Sequence, residues 1–503
     1  MERKNNLKII EIINIKNLFI LFMILQPIFD LKIFYNSIST LIRVICILLF
    51  FAYYFIKSTN KKKFLLLIYP IIVGFFCIFH HLNALKFYSL VPGNFNYSLF
   101  NESLYILKMI CPFLLIYSLF KSDISKNDLL NIMKIIVLVI GIIIVASNLF
   151  LFSYGSYSDT LIKANFFEWF NRNSEYTYQD LASKGLFESA NQISAVLLMC
   201  LPFILLSNFE EKNKVSFIVL LSNLFALILL STKVAVLGVG LVFAYTFFSR
   251  LIFTKRIKFA ISILILFIIY ALFLPFNPTF SRITEAKKIF QAAASMNITE
   301  DDTEITQPSE QSSVTPSSNL AQVIDSSGYK IKFIEDNYKE QLINENFIIN
   351  RYPYIYDYDF WYEILNNNMP KKSDYRFLER AMVKRVVEIN NNPMDKLFGI
   401  TYTRVQNIFN IEKDFIMQYY SVGILGLILL IGPYFVILGY WGLKYLNAKF
   451  KNMSIYSLLA VITICMLFGI SYYSGNLLNS LSFTIYFTML FGIMIKNYNE
   501  KGE

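Results

Sequence analysis

Twelve apolar runs of roughly membrane length, each bounded by polar residues, leave this chain few folds to choose from. They lie near 15–36, 38–57, 64–82, 103–120, 132–152, 190–207, 215–231, 233–249, 259–275, 415–441, 455–472 and 480–496. A helix needs about 20 residues, at 1.5 Å each, to cross about 30 Å of hydrocarbon. Only 16% of the residues are charged, against about a quarter in soluble domains. The expected fold is all-α, a polytopic integral membrane protein with about 12 transmembrane helices. The first run holds Gln26, Pro27 and Asp30 and is the least apolar. No small-residue cleavage site follows Met1-Glu2-Arg3-Lys4, so that run reads as a span and not as a signal peptide.

One long polar segment breaks the series. It divides the chain into 1–275 with spans 1–9, a large loop over 276–414, and 415–503 with spans 10–12 and a tail. Lys and Arg favour cytoplasmic loops. Taking alternate connections, one set carries 22 cations against eight acids, as in Lys61, Lys62, Lys63 or Arg250, Lys255, Arg256, Lys258. The short connections of the other set carry six cations, Lys32, Lys86, Lys163, Arg172, Lys184 and Lys233, against seven acids. Both termini are therefore expected in the cytoplasm and the long loop outside a cytoplasmic (inner) membrane. The loop has 16 cations and 20 acids, so the net charge of +11 reports topology and argues for no nucleic acid.

Cys46, Cys77, Cys111, Cys200 and Cys465 all fall in apolar runs without paired spacing, which speaks against disulfides or a thiolate metal site. His80 and His81 sit together at a helix end and read as a solvated terminus; two adjacent histidines alone make no metal site. No metal and no cofactor is expected. Residues 165–170, Asn-Phe-Phe-Glu-Trp-Phe, form a short amphipathic segment that either lies along the interface or packs on a neighbouring loop.

Within the loop, 295–328 is rich in Ser, Thr, Gln and acids and lacks apolar content, so it reads as disordered. The aromatic stretch 352–362 suits stacking on sugar rings or covering the membrane face of the loop. From Asp374 to Asn390 the pattern predicts a helix with Arg376, Arg380 and Lys384 on one face and Phe377, Ala381 and Val387 opposite. Arg385, off the cationic row, is expected to tolerate loss of charge. Arg43 and Lys108 lie about five residues inside their runs, where a cation has a partner or a job, and Lys233 occupies a tight turn; no acid is evident beside each. Cations gathered at one level beside aromatics suit an anionic lipid headgroup, above all a diphosphate, which Arg takes as a fork and Lys as a point charge. A lipid diphosphate is also a leaving group that positive charge stabilises. No phosphate-cradling Gly-rich loop appears, so an ATP-driven pump is not expected.

The organisation of spans, with one long loop before the last three, resembles the O-antigen polymerase and O-antigen ligase superfamily of bacterial surface-polysaccharide assembly. Lys184-Gly185-Leu186-Phe187 leading to Asn191 resembles its Gly-x-Phe-x-x-x-Asn approach to a span, with Ala182 where the family has Arg and Lys184 as the nearby cation. Ser231-Thr232-Lys233 resembles its Ser-Arg turn. Arg376, then Pro393 and Leu397-Phe398-Gly399, resembles the Arg-helix-Pro-x-Leu-Gly block of its long loop. Glu412-Lys413-Asp414 with Gly423 to Gly426 resembles the junction where that loop re-enters the membrane; ligases have a His there, and its absence favours a polymerase.

The resemblance implies a glycosyltransferase that moves a glycan from polyprenyl diphosphate to a hydroxyl of a second lipid-linked unit, polymerising O-antigen or capsule repeats. Arg376, Arg380, Lys233, Arg43, Lys108 and Lys184 would then hold the diphosphate, and Glu412 or Asp414 would take the hydroxyl proton. Membrane lipids, a flippase and a chain-length regulator are the implied partners. A ligase, a lipid-linked oligosaccharide flippase or other exporter, and a cell-wall glycan polymerase remain the alternatives. Scarce mid-span charge and unlike halves argue against transport.

Overall fold

Each of these apolar runs contains helix in the computed structural model of the protein. The structure describes residues 14–34, 37–171, 175–211, 213–254, 257–284, 319–341, 343–366, 375–408, 411–451 and 453–502. Among them nine helices are long and apolar enough to cross a membrane, and Ile15–Ile24 and Lys214–Leu230 are shorter apolar helices. The run expected at 15–36 ends as a helix at Ile24, because Pro27 has no N–H to continue the ladder; a single turn, Gln26–Phe29, follows. The run expected at 415–441 is two helices, Asp414–Leu430 and Gly432–Asn447. The chain forms two compact units, one of Met1–Pro70, Ile106–Ile283 and Leu430–Glu503, the other of Ile71–Tyr105 and Thr284–Leu429.

In the first unit two helices are enclosed by the rest. Every residue from Ile193 to Ser207 in Ala190–Glu211, and from Leu481 to Ile495 in Leu481–Gly502, is buried, as expected of helices apolar on all sides. Helices around them turn Leu41, Ile45 and Leu49, or Ile261, Leu264 and Ile268, outward. Such a continuous apolar exterior suits hydrocarbon and not water. At one end Lys16 pairs with Asp128 at 2.7 Å, Lys134 with Glu211, and Arg250 with Glu210 at 3.4 Å. The connections that charge assigns to one side therefore meet at one end. There Ser125 caps the helix Lys126–Leu149, accepting from the Asp128 N–H at 3.1 Å while the Asp128 carboxylate accepts from the Ser125 N–H at 2.8 Å. Ser125→Ala should cost about 1 kcal/mol, read as an earlier midpoint when the purified chain is titrated with denaturing detergent. An unchanged midpoint would show that the cap contributes nothing.

At the other end, about 33 Å along Ala190–Glu211 by helical rise, the connections build a small polar cap. Strand Tyr154–Gly155 pairs antiparallel with Ser183–Gly185. Phe166 and Trp169 are buried, Phe166 against Phe225 at 4.9 Å between centroids, while Phe167 is exposed. Two of the segment's aromatics thus pack on neighbouring elements, while Phe167 and Phe170 stay exposed.

The second unit has its own core. Tyr352, Phe360, Trp361, Ile364 and Leu365 pack with Ile334, Leu378, Met382 and Val386, so part of the aromatic stretch supplies an interior, while Tyr356 stays exposed and Tyr354, Tyr358 and Tyr362 half-buried. Helix Tyr375–Asn390 buries Leu378, Met382, Val383 and Val386, with Phe377, Ala381 and Val387 flanking that stripe. Of the insert read as disordered, 295–318 lies outside the described residues and 319–328 opens the helix Asn319–Asn337.

Two glycines make a backbone crossing in this unit. Gly423, at φ 67° and ψ −174°, breaks the helix Asp414–Leu430, which strips the Tyr420 and Ser421 carbonyls of their helical donors. The loop replaces them: Ile400 N–H donates to Tyr420 O at 2.8 Å and Thr401 N–H to Ser421 O at 3.0 Å. Gly399, at φ 74° and ψ 175°, brings the loop in. A Cβ on Gly399 would overlap Ser421 O, and one on Gly423 would overlap the Leu397 carbonyl carbon.

Candidate functional site

In the first unit, the polar cap contains a buried carboxylate and a shared one. Arg43, 1% exposed, donates from Nε to Gln26 Oε1 at 2.9 Å and pairs with Asp30, itself 3% exposed. Asp30 also accepts from Ser482 Oγ and, at 2.7 Å, from Tyr486 OH. A cation expected without an acid thus has one, supplied by the polar residue that made the first run the least apolar. Asp159 receives two lysines on the same oxygen, Lys32 Nζ at 3.0 Å and Lys184 Nζ at 3.3 Å. Lys184 is buried at 7% side-chain exposure and Asp159 is 75% exposed. The two ammonium groups hold the Asp159 carboxyl below the usual carboxylate range. Its hydrogen bond to Asp159 in turn raises Lys32.

The same cap carries further groups. Tyr157 OH and, at 2.6 Å, Thr279 Oγ1 donate to the Ser231 carbonyl, fixing the turn that opens Lys233–Thr254. Arg282 lies over the Tyr157 ring at 4.3 Å. Lys233 is exposed and Asn191 half-buried. Gln192 Oε1 accepts from Ser480 Oγ at 3.1 Å. Lys108, half-buried in Leu99–Lys121, makes no hydrogen bond or ion pair among the described residues. Chemically, the cap offers two convergent cations held by one solvent-facing carboxylate, an arrangement open to an anionic ligand that displaces it.

In the second unit the cationic row resolves into separate pairs. Arg376 donates from Nε at 2.7 Å, and from Nη2, to Glu412 Oε2. Lys384 pairs with Glu388 one turn on at 3.4 Å. Arg380 is exposed and forms no ion pair among the described residues. Arg385, expected to be expendable, forks Asp357 at 2.8 and 3.0 Å, and Asp357 is buried where it accepts from Tyr352 OH at 2.7 Å. Losing Arg385 would leave that carboxylate uncompensated. Of the two acids, Asp414 is fully buried, whereas the Glu412 side chain is 36% exposed.

Sequence reasoning missed a network in this unit. His80 is buried at 1%, contrary to a solvated helix end; its Nε2 lies 2.9 Å from Glu102 Oε1 and its Nδ1 donates to Phe398 O at 2.6 Å. Glu102 also accepts from the Tyr402 and Thr403 N–H groups at 3.0 and 3.1 Å. Arg404 donates to the carbonyls of Ala84 at 2.9 Å and Ile400 at 3.2 Å, and burial lowers its guanidinium to about 10. Asp395, raised by burial, accepts from Asn83 at 2.9 Å and Asn390 at 2.6 Å. These groups fasten the Gly399 turn and present no solvent-facing reactive atom. Among the described residues no cluster of His, Cys, Asp or Glu suits a metal ion.

Comparison with curated proteins and with solved structures gives no match. A family model does match, over residues 14–501, taking in both units and all the groups above, so the chain belongs to the O-antigen ligase like membrane proteins.

Proposed function

We propose that this protein is a membrane glycosyltransferase that polymerises polyprenyl-diphosphate-linked repeat units into a surface polysaccharide. Family membership supports a membrane enzyme of surface-polysaccharide assembly; the polymerase reaction, the diphosphate donor and the orientation with both termini cytoplasmic are our reading. The observation that carries it is the convergence of Lys32 and Lys184 on the exposed Asp159. A phosphate oxygen entering there exchanges one anion for another and meets two cations already in place, one of them buried. Lys233 and Arg282 add positive charge to the same cap. In the loop, Arg380 is a cation open to an anionic group. Glu412, held by Arg376, is a half-exposed carboxylate of the second unit with the chemistry of a general base.

As the sugar–phosphate bond breaks, charge grows on the departing diphosphate, and cations fixed in advance stabilise it without a nucleotide. The acceptor hydroxyl gives its proton to a carboxylate as its oxygen bonds to the sugar carbon. The deciding experiment is the glycan of a strain lacking the protein. Single repeat units are expected on carrier lipid; complete chains retained on that lipid would make the protein a ligase, and intermediates trapped on the inner leaflet a flippase. In a complemented strain Lys184→Ala should lower polymer output about ten- to a hundredfold at equal protein level, the size of a lost charge-assisted hydrogen bond. Normal output from that variant would remove the diphosphate role of the lysine pair.

A further inference from the structure

On the second unit, three aromatic side chains gather where the core meets the surface, Phe333 and Tyr362 packed against that core. Tyr329 and Phe333 are one turn apart on Asn319–Asn337, and Tyr362 comes from Tyr358–Asn366. Their ring centroids are 5.2 Å (Phe333–Tyr362), 6.3 Å (Tyr329–Tyr362) and 6.4 Å (Tyr329–Phe333) apart. The buried core residues here are Ile334 of the first helix, Tyr338 just past its end, and Trp361, Ile364 and Leu365 of the second. Tyr329 stays 63% exposed and the other two half-buried.

Polar groups frame the rings on two sides. Lys330 Nζ joins Asp359 Oδ1 at 2.7 Å, tying the two helices together, and Tyr354 OH donates to Glu335 Oε1 at 2.7 Å. Lys332, Asp336 and Glu363 are exposed nearby in sequence. Lys330 Nζ lies over one face of the Tyr362 ring at 5.6 Å, but the two helices carry more acids than lysines over 330–336 and 359–363, which disfavours phosphate and anionic lipid. Aromatic faces beside carboxylate acceptors suit a ligand that presents C–H faces and hydroxyls together.

We propose that Tyr329, Phe333 and Tyr362 form a platform for the sugar rings of a glycan chain, uncharged at the contacting residues, separate from the group that holds the diphosphate. The proposal rests on the glycan reading above, and it adds a site that grips the polymer instead of the lipid. Rings that hold a growing chain between transfers favour long products without altering the transfer step.

The test uses the full chain in nanodiscs and, as probe, delipidated polysaccharide from the strain that carries the protein. Tyr329→Ala should weaken its binding about fivefold, in the range of one lost aromatic contact, and Tyr329→Trp should restore it. In cells, Tyr329→Ala should shorten the chains at equal protein level. Wild-type binding and wild-type chain length in Tyr329→Ala would overturn the platform, as would a loss of binding to anionic vesicles in place of polysaccharide. Tighter binding after deletion of 297–316 would make that segment a competitor for the rings and support the platform; loss of binding on that deletion, with Tyr329→Ala neutral, would overturn it. The polymerase reading fails on a different result, unchanged glycan in the strain lacking the protein, and Tyr329-dependent binding would survive it.

Discussion

Gly399→Ala and Gly423→Ala should each prevent the second unit from assembling. Both glycines hold φ near 70° with ψ near 180°, a region essentially closed to other residues and costing about 1–3 kcal/mol when forced. The overlaps come on top of that strain. They fall on backbone atoms of the opposing strand of chain, Ser421 on one side and Leu397 on the other, which no rotamer change relieves. Opening the crossing would release the bonds from Ile400 and Thr401 to the Tyr420 and Ser421 carbonyls and leave buried groups unpaired. The sum exceeds about 4 kcal/mol, among the largest effects of a single substitution. Full-length protein in the membrane should fall sharply, and the loop should become protease-sensitive. Gly442→Ala and Gly469→Ala are the controls, since both lie in helices with nothing within 4 Å of an added Cβ, and alanine there is neutral or mildly stabilising. A Gly399→Ala protein as stable as Gly442→Ala would show that the crossing is not held as described.

The second large effect is at Arg43. Arg43→Met leaves Asp30 in the bundle with hydroxyl donors and no cation, and breaking a buried pair from one side costs about 3–5 kcal/mol. Asp30→Asn keeps an acceptor for Ser482 and Tyr486 while removing the charge. The double variant Asp30→Asn, Arg43→Met should therefore recover most of the stability, a coupling that a detergent-unfolding cycle measures directly. A double variant no more stable than Arg43→Met would refute the pairing. The same cycle separates structure from ligand binding: a stable double variant that yields normal polymer has no need of Arg43 for the diphosphate, and a stable one without polymer does.

Spans were legible because length and apolar content alone specify them, and each of the runs contains helix. Where helices break was less legible. Pro27 marks one break by chemistry that shows in the sequence, whereas the break at Gly423 depends on a partner, Gly399, found in the loop. The sign of a side chain was readable and its neighbour was not. Arg43 looked unpaired because Asp30 is 13 residues away across a turn, and Arg385 looked expendable because Asp357 reaches it from a different element. The aromatic stretch illustrates a further limit: composition identified it as unusual, but Tyr352 and Trp361 face inward, and the rings left at the surface include Tyr329 and Phe333, outside that stretch. His80, Glu102 and Arg404 gave no signal, since they come together only when the chain around Gly399 has folded.

Asp30 leaves the ribosome long before its two hydroxyl donors, which are 452 and 456 residues further along the chain. At about 5–20 residues per second, the carboxylate waits on the order of half a minute to a minute and a half for them, with Arg43 alone for company. The pair thus acts as a clasp left open until the helix Leu481–Gly502 arrives and shuts it. A chain ending before Ser482 keeps the ion pair but lacks what registers the first helices on the last. Such a product is inserted, apolar and unfinished, and the cell meets it as a membrane protein whose interior was never sealed.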